Sequence, residues 1–210
     1  MKLLSLNVGQ PKTVSWKGKE VETSIFKYPV DGQKAVSLLN IEGDKQADLR
    51  YHGGRDKAIY SYDKADYTAW KKQIDREEWP FGLFGENLTT EGLDESEVQI
   101  GAIYQIGSVL IQATQPRIPC FKLNICFERE DMTALFYNFK RYGIYFRVLE
   151  AGVLKAGDAI ELVEKGAYSI SIAEIVACFT SKGKDKKMLQ QILDIPILPD
   201  GLRKKLVSFL

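Results

Sequence analysis

Cys120 lies in the stretch Gln115-Pro116-Arg117-Ile118-Pro119-Cys120-Phe121-Lys122-Leu123. Each proline fixes its own φ at about −65° and steers the preceding residue away from the helical region, so Gln115 to Cys120 is expected to be a stiff, non-helical loop. Upstream, Val109, Ile111 and Ala113 alternate with Leu110, Gln112 and Thr114, the period of a strand. The thiol is thus placed just beyond a strand's end, a common position for a working residue. Arg117 and Lys122 flank it with positive charge, and positive neighbours favour the thiolate, the form that attacks or binds metal. The plainer alternative is a free cysteine acting as a small buried hydrophobe.

A second stretch, from Gly43 to Lys57, gathers Lys45, Arg50, His52, Arg55 and Lys57 around the pair Gly53-Gly54. Glycine lets backbone N–H groups approach a ligand closely, so this stretch suits an anion; the alternative is a solvated loop between two strands. His52 is the only histidine in the chain, which excludes a multi-histidine metal site. Asn87, after Gly85-Glu86, could read the edge of a heterocycle through its paired donor and acceptor, or serve as turn chemistry. No nucleophile elbow, phosphate-binding loop or dinucleotide fingerprint follows any strand, and Asp94-Glu95 reads as a solvated turn. What remains is a lone thiol with basic residues able to gather near it, a seat for an anionic cofactor whose metal is soft enough to take thiolate.

The elements that must position these residues read as a β-rich body followed by helices. Strands are expected at Leu3 to Val8, in a hairpin turning at Lys17-Gly18-Lys19, and at Thr23 to Val30, Ala35 to Ile41 and Ala58 to Tyr62. Asp63 can cap a helix carrying Ala65, Tyr67, Trp70 and Ile74. Strands return at Ile103 to Ile106 and Val109 to Thr114, then a helix from Met132 to Tyr142, then strands at Ile144 to Leu149 and Ala159 to Val163. The alternation of Phe121, Leu123, Ile125 and Phe127 would, as a strand, put Cys126 on the same side as Cys120. Past Lys165 the pattern changes: a capping box at Ser171 and Glu174, a cap at Asp185 and the turn Pro199-Asp200-Gly201 introduce three short amphipathic helices.

Composition sets limits. With 29 basic and 28 acidic residues the net charge is +1, so no global charge draws the chain to nucleic acid or anionic membrane and any anion site must be local. Three cysteines without a CxxC pair or a cysteine–histidine cluster argue against a disulfide framework or zinc knuckle and fit a reducing cytoplasm. The apolar run at the N-terminus is too short for a signal peptide and no other approaches a membrane span, so a cytoplasmic protein is expected.

Together, His52-Gly53-Gly54, the run from Gly85-Glu86-Asn87 to Gly92-Leu93, the run from Gln115 to Asn124 and Gly157-Asp158 resemble the MOSC domain family, in its YiiM-like branch with a C-terminal three-helix domain. This chain has Arg55 where that pattern reads proline. The resemblance implies a MOSC-type β-barrel body over residues 1–165 and a three-helix domain over 166–210. It also implies a molybdenum cofactor (molybdopterin) in a basic cleft, with Cys120 ligating molybdenum or carrying sulfur. Arg117 would orient the cofactor, Asn87 and His52 would contact pterin or substrate, and Lys57, Arg50 or Arg55 would help hold the phosphate. The implied reaction is reduction of N-hydroxylated compounds, such as N-hydroxylated bases, to amines, with electrons from an external reductase. Two other classes stay open. Cys120 could carry a persulfide for cofactor assembly without molybdenum. The C-terminal helices, with Lys182, Lys184, Lys186, Lys187, Arg203, Lys204 and Lys205, could contact nucleic acid, or could dock an electron donor or a second copy as a homodimer.

Overall fold

The computed structural model describes residues 1–49 and 52–210. Its strands are β1 (Lys2–Val8), β2 (Lys12–Trp16), β3 (Lys19–Thr23), β4 (Tyr28–Pro29), β5 (Lys34–Val36), β6 (Ile59–Asp63), β7 (Leu88–Glu91), β8 (Ile103–Ile106), β9 (Val109–Pro116), β10 (Ile144–Glu150), β11 (Gly152–Leu154) and β12 (Ile160–Glu164). The helices are α1 (Lys64–Trp70), α2 (Lys122–Phe127), α3 (Met132–Phe139), α4 (Ile172–Thr180), α5 (Lys186–Leu193) and α6 (Asp200–Val207). No described helix is long and apolar enough to cross a membrane.

Eight strands form one mixed sheet in the order β12-β8-β9-β10-β6-β7-β1-β4. All its neighbours are antiparallel except β6 and β7, which run parallel; their connection contains α1, as a parallel pair requires a long crossover. The expected barrel is not what the strands build. The stretch entering β12 meets the start of β1 at the single bridge Lys2–Ala159 and in backbone hydrogen bonds of Leu3 with Gly157 and Asp158 and of Ile160 with Met1, but no continuous ladder forms between the two strands. At the other end β4 is two residues long and contains Pro29, which has no N–H to give a further neighbour. The fold is an open mixed sheet with helices packed on it.

Local chemistry explains where periodicity misled. Of the expected Thr23–Val30 strand only β4 forms, because the Thr23 hydroxyl accepts from Ile25 N at 3.2 Å and turns the chain. The Ala35–Ile41 strand folds back on itself through Ser37 and Asn40, leaving β5 and a lone Val36–Ile41 bridge. Residues after Cys120 form α2 rather than a strand: Asn124 accepts from Thr133 N at 2.7 Å and donates to Glu130 O at 2.7 Å, tying the short helix to α3. Helix α3 stops at Lys140 (φ 60°), short of Tyr142, and Asp131 at its start makes no side-chain cap because it pairs with Arg129. The other caps form as read. Asp63 accepts from Ala65 N, Ser171 and Glu174 make a reciprocal capping box, and Asp185 accepts from Met188 N.

Helices α4 to α6 share the apolar core of the sheet. Ile172, Ile175, Leu189 and Leu206 are fully buried in it, and Arg147 of β10 donates to Ile197 O at 3.1 Å. The same core holds an aromatic cluster of Tyr62, Trp70, Phe84 and Phe136, with Trp70 and Phe136 stacked at 5.8 Å and the Trp70 indole N–H donating to the Tyr62 hydroxyl at 2.8 Å. The loop from Gly82 to Asn87, which borders the cleft, is organised by the buried Glu86 carboxylate. It accepts from Tyr67 Oη (2.6 Å), Gly82 N (2.7 Å), Thr89 Oγ1 (2.7 Å) and Phe84 N (3.1 Å). Burial pushes this acid up in pKa and the donors pull it back. Glu86→Gln places an amide donor against one of those N–H or O–H groups. It is expected to cost about 1–3 kcal/mol of stability, read as a lowered urea midpoint with an unchanged m-value.

Candidate active site

Strand β9 delivers the chain to the cleft and the prolines then hold it. Gln115 and Pro116 end the strand, paired with Tyr145 and Ile144 of β10, and the irregular loop is Arg117 to Cys120. Arg117 N donates to Gly143 O at 3.2 Å. The Cys120 carbonyl accepts from Leu123 N at 3.0 Å and lies 3.1 Å from the Thr133 hydroxyl. Both ends of the loop are thereby pinned, and Cys120 stands half-buried at the cleft with its Sγ 3.9 Å from His52 Nε2. Cys126 points elsewhere: on α2 its thiol donates to Leu83 O at 3.1 Å, and burial pushes it up to about 12. The shared face expected for the two thiols is absent because the segment is helical.

Of the residues singled out in the sequence, Cys120, Arg117, His52, Lys57 and Asn87 line one cleft. Arg55 does not; it is exposed in a 3-10 turn, Arg55–Lys57, and only Lys57 of that turn reaches the cleft. Arg50 lies outside the described residues. Gly53 and Gly54 take φ of 113° and 80°, values that side-chain-bearing residues rarely adopt, and Gly53 lines the cleft. The Asn87 amide is committed to the protein: Oδ1 accepts from Tyr60 N at 3.2 Å, and Nδ2 donates to Asp44 Oδ2 at 3.0 Å and Asn7 O at 3.3 Å. Its place is to join the loop after Gly85 to β6 and β1.

Tyr60, Tyr145 and Lys27 are among the lining residues that escaped sequence reading. Tyr60 and Tyr145 are direct cross-strand partners in the β6–β10 pair, so both rings fall on the cleft face, 5.3 Å apart. Only the pairing register reveals this. Lys27 is buried beside Asp44, and a salt bridge joins the two across 17 residues of sequence. The Asp44 carboxylate also receives Gly9 N at 2.8 Å.

The electrostatics centre on Arg117. It is 95% buried, with its guanidinium 5.6 Å from the Tyr60 ring centroid and 5.4 Å from that of Phe136, and its Nη1 has no hydrogen-bond partner among the described residues. A buried guanidinium N–H without an acceptor is costly unless a ligand supplies one. The Ser24 hydroxyl on the same cleft is likewise without a partner among the described residues. Lys57 and Lys122 add further positive charge. His52 responds to all of this. Burial first, then the charges of Lys122, Arg117 and Lys57, lowers its pKa from 6.5 to about 4, so its ring is neutral at physiological pH. Burial raises the Tyr145 hydroxyl, opposed by Arg117. Among the described residues no group of three or more His, Cys, Asp or Glu gathers as metal ligands. A metal held here would take a single protein sulfur and bring its other ligands with it.

The sequence model of the MOSC domain matches residues 48–161, which include His52, Lys57, Asn87, Arg117 and Cys120. The chain belongs to the MOSC domain family. Over 203 residues it is 36% identical to the uncharacterized protein YflK of Bacillus subtilis (strain 168), covering 96% of this chain and 90% of that one. The crystal structure of YiiM from Geobacillus stearothermophilus superposes with a TM-score of 0.84 at 33% identity, over 100% of this MOSC chain and 98% of that one. A protein of Gibberella moniliformis (strain M3125 / FGSC 7600) described as a reductase is 30% identical over 198 residues, 93% of this chain but only 35% of that protein.

With one histidine in this MOSC chain, proton NMR reports the cleft through a single imidazole. Its titration midpoint is expected at about 4, well below 6.5. Because the folded value is depressed, the stability tied to neutral His52 is present above pH 6.5 and is lost as pH falls through about 4. A midpoint at or above 6.5 contradicts the cationic surroundings described here.

Proposed function

We propose that this MOSC protein binds a molybdenum cofactor in the basic cleft and reduces N-hydroxylated compounds, N-hydroxylated bases among them, to the corresponding amines. One observation carries the reading: an accessible thiol and a buried guanidinium with an unused N–H line the same cleft. A phosphate-bearing, dithiolene-chelated metal asks for these groups, an acceptor-seeking cation for its anionic part and a soft sulfur for the metal. The donor set fits. The reductase description of the Gibberella relative supports the reaction class.

When bound, the cofactor supplies the two-electron reduction of R–NHOH to R–NH2 and water, with two electrons from an external reductase and two protons from solvent. The chain's own residues do the rest. Cys120 would be the sulfur ligand, held in place by the pinned loop. Arg117, fixed between two rings, would turn its free N–H toward an anionic oxygen without reorganising, while Lys57 and Lys122 would add charge at the rim. The neutral His52 ring, 3.9 Å from Cys120 Sγ, would offer one nitrogen as donor or acceptor to a substrate hydroxylamine without adding charge.

Protein purified from a host that makes the cofactor should carry near-stoichiometric molybdenum and pterin, and Cys120→Ala should lose the metal. Cys120→Ser should keep the wild-type melting transition and lose reduction of N-hydroxylated bases by a chemical donor. Full activity in Cys120→Ser refutes the role given to the thiol. Wild-type protein without molybdenum but with an extra sulfur on Cys120 by mass replaces this reading with persulfide transfer.

A further inference from the structure

The cleft does not end at Cys120. It opens into a wider groove that shares Cys120, His52, Lys57, Lys122 and Tyr145 with it. The two parts differ in chemistry. The inner part holds Arg117, Lys27 and the unpartnered Arg117 Nη1 and Ser24 Oγ. The outer part lacks all of these and presents instead the apolar side chains of Leu49, Ile118, Phe121, Phe179 and Leu202. Among the described residues the charges lining it are matched in number, Glu20, Glu22 and Asp48 against Lys57, Lys122 and Lys205. Phe121 is 49% and Leu49 69% exposed, so apolar surface stands open to water at the mouth of the site. Gly201, Leu202 and Lys205 of α6 and Phe179 of α4 also line this groove.

We propose that this outer groove is the substrate compartment, that it takes an uncharged, flat, ring-bearing molecule, and that the start of α6 sets how large that molecule can be. The proposal rests on the reading that the inner part holds the cofactor. A groove with matched rim charges exerts no net pull on an ion, while aromatic and aliphatic walls favour a ring laid against them. Its continuity with Cys120 lets a ring held there present its N-hydroxyl group to the reacting centre. Position 201 is where size is decided. Leu202 is buried and anchors α6, whereas Gly201 is exposed, has no positive φ, and a Cβ built there meets nothing within 4 Å. A bulky residue at 201 therefore enters the groove without disturbing the core.

Gly201→Trp tests this in two ways. The first needs no cofactor: alkylation of Cys120, followed by peptide mass, with iodoacetamide and with N-(1-pyrenyl)maleimide. Cys126 and Cys178 are buried and leave Cys120 as the reporter. The rate ratio of the pyrenyl reagent to iodoacetamide is expected to fall about tenfold relative to wild type, the order set by one apolar contact. An unchanged ratio overturns the proposal. The second uses cofactor-loaded protein: the ratio of kcat/KM for an N-hydroxylated purine to that for N-methylhydroxylamine should fall by a similar factor, carried by KM. A ratio that holds also overturns it. Lys205→Trp, at an exposed lining position further along α6, is the second variant and should lower both ratios in the same direction. If the wild type reduces neither compound, the reductase reading fails and takes the named substrate with it, while the alkylation ratio still decides whether α6 walls the approach to Cys120.

Discussion

The site depends on burying one guanidinium. Placing Arg117 inside the protein is costly, and the structure offsets the cost with faces rather than with a carboxylate: Tyr60 on one side and Phe136 on another. No acidic partner neutralises it among its described contacts, so its charge remains available to the cleft. Several features follow from that choice. Phe136 must be held by the aromatic cluster around Trp70, Tyr60 must sit beside Tyr145, and His52 must stay neutral because a second buried cation would be repelled.

Around this cation the chain separates tasks that a simpler pocket would combine. Lys27 is answered locally by Asp44, which also binds a backbone N–H and the Asn87 amide, so that corner is a structural brace. Glu86 plays the same part on the neighbouring loop, spending its carboxylate on four internal donors. Buried polar groups with complete sets of partners rigidify, and those with missing partners are costly to bury. Arg117 Nη1 belongs to the second kind.

How far the sequence foretold this varies with the range of the forces involved. Features set within a few residues were legible: the hairpin at Lys17-Gly18, strands β8 and β9, the caps at Asp63, Ser171 and Asp185, and the loop that presents Cys120. Features set by distant partners were not. The alternation of Phe121 to Phe127 reads as a strand until Asn124 finds Thr133, and the barrel does not close because β1 and β12 meet at a bridge and a few hydrogen bonds without forming a ladder. The same divide runs through the site. Cys120, Arg117, His52 and Lys57, singled out by type and neighbours, line one cleft, whereas Arg55 is exposed and is not among the residues lining it. Asn87 was recognisable as special, but its amide serves the backbone. Lys27, Tyr60 and Tyr145 carried no local signal; each acquires meaning only from a residue far along the chain.

The pairing of Tyr60 with Tyr145 has a consequence for how this protein is made. Side chains on a strand alternate between faces, so sliding β6 by one residue against β10 would turn Tyr60 away from the cleft and remove one of the rings on which Arg117 rests. Such a molecule would keep its strands, its helices and most of its hydrogen bonds, and to circular dichroism it would pass for native. It would nevertheless lack a seat for the buried charge. Correct register therefore prepares the cleft as well as the sheet, because a mis-registered chain would leave the buried guanidinium with Phe136 alone to face.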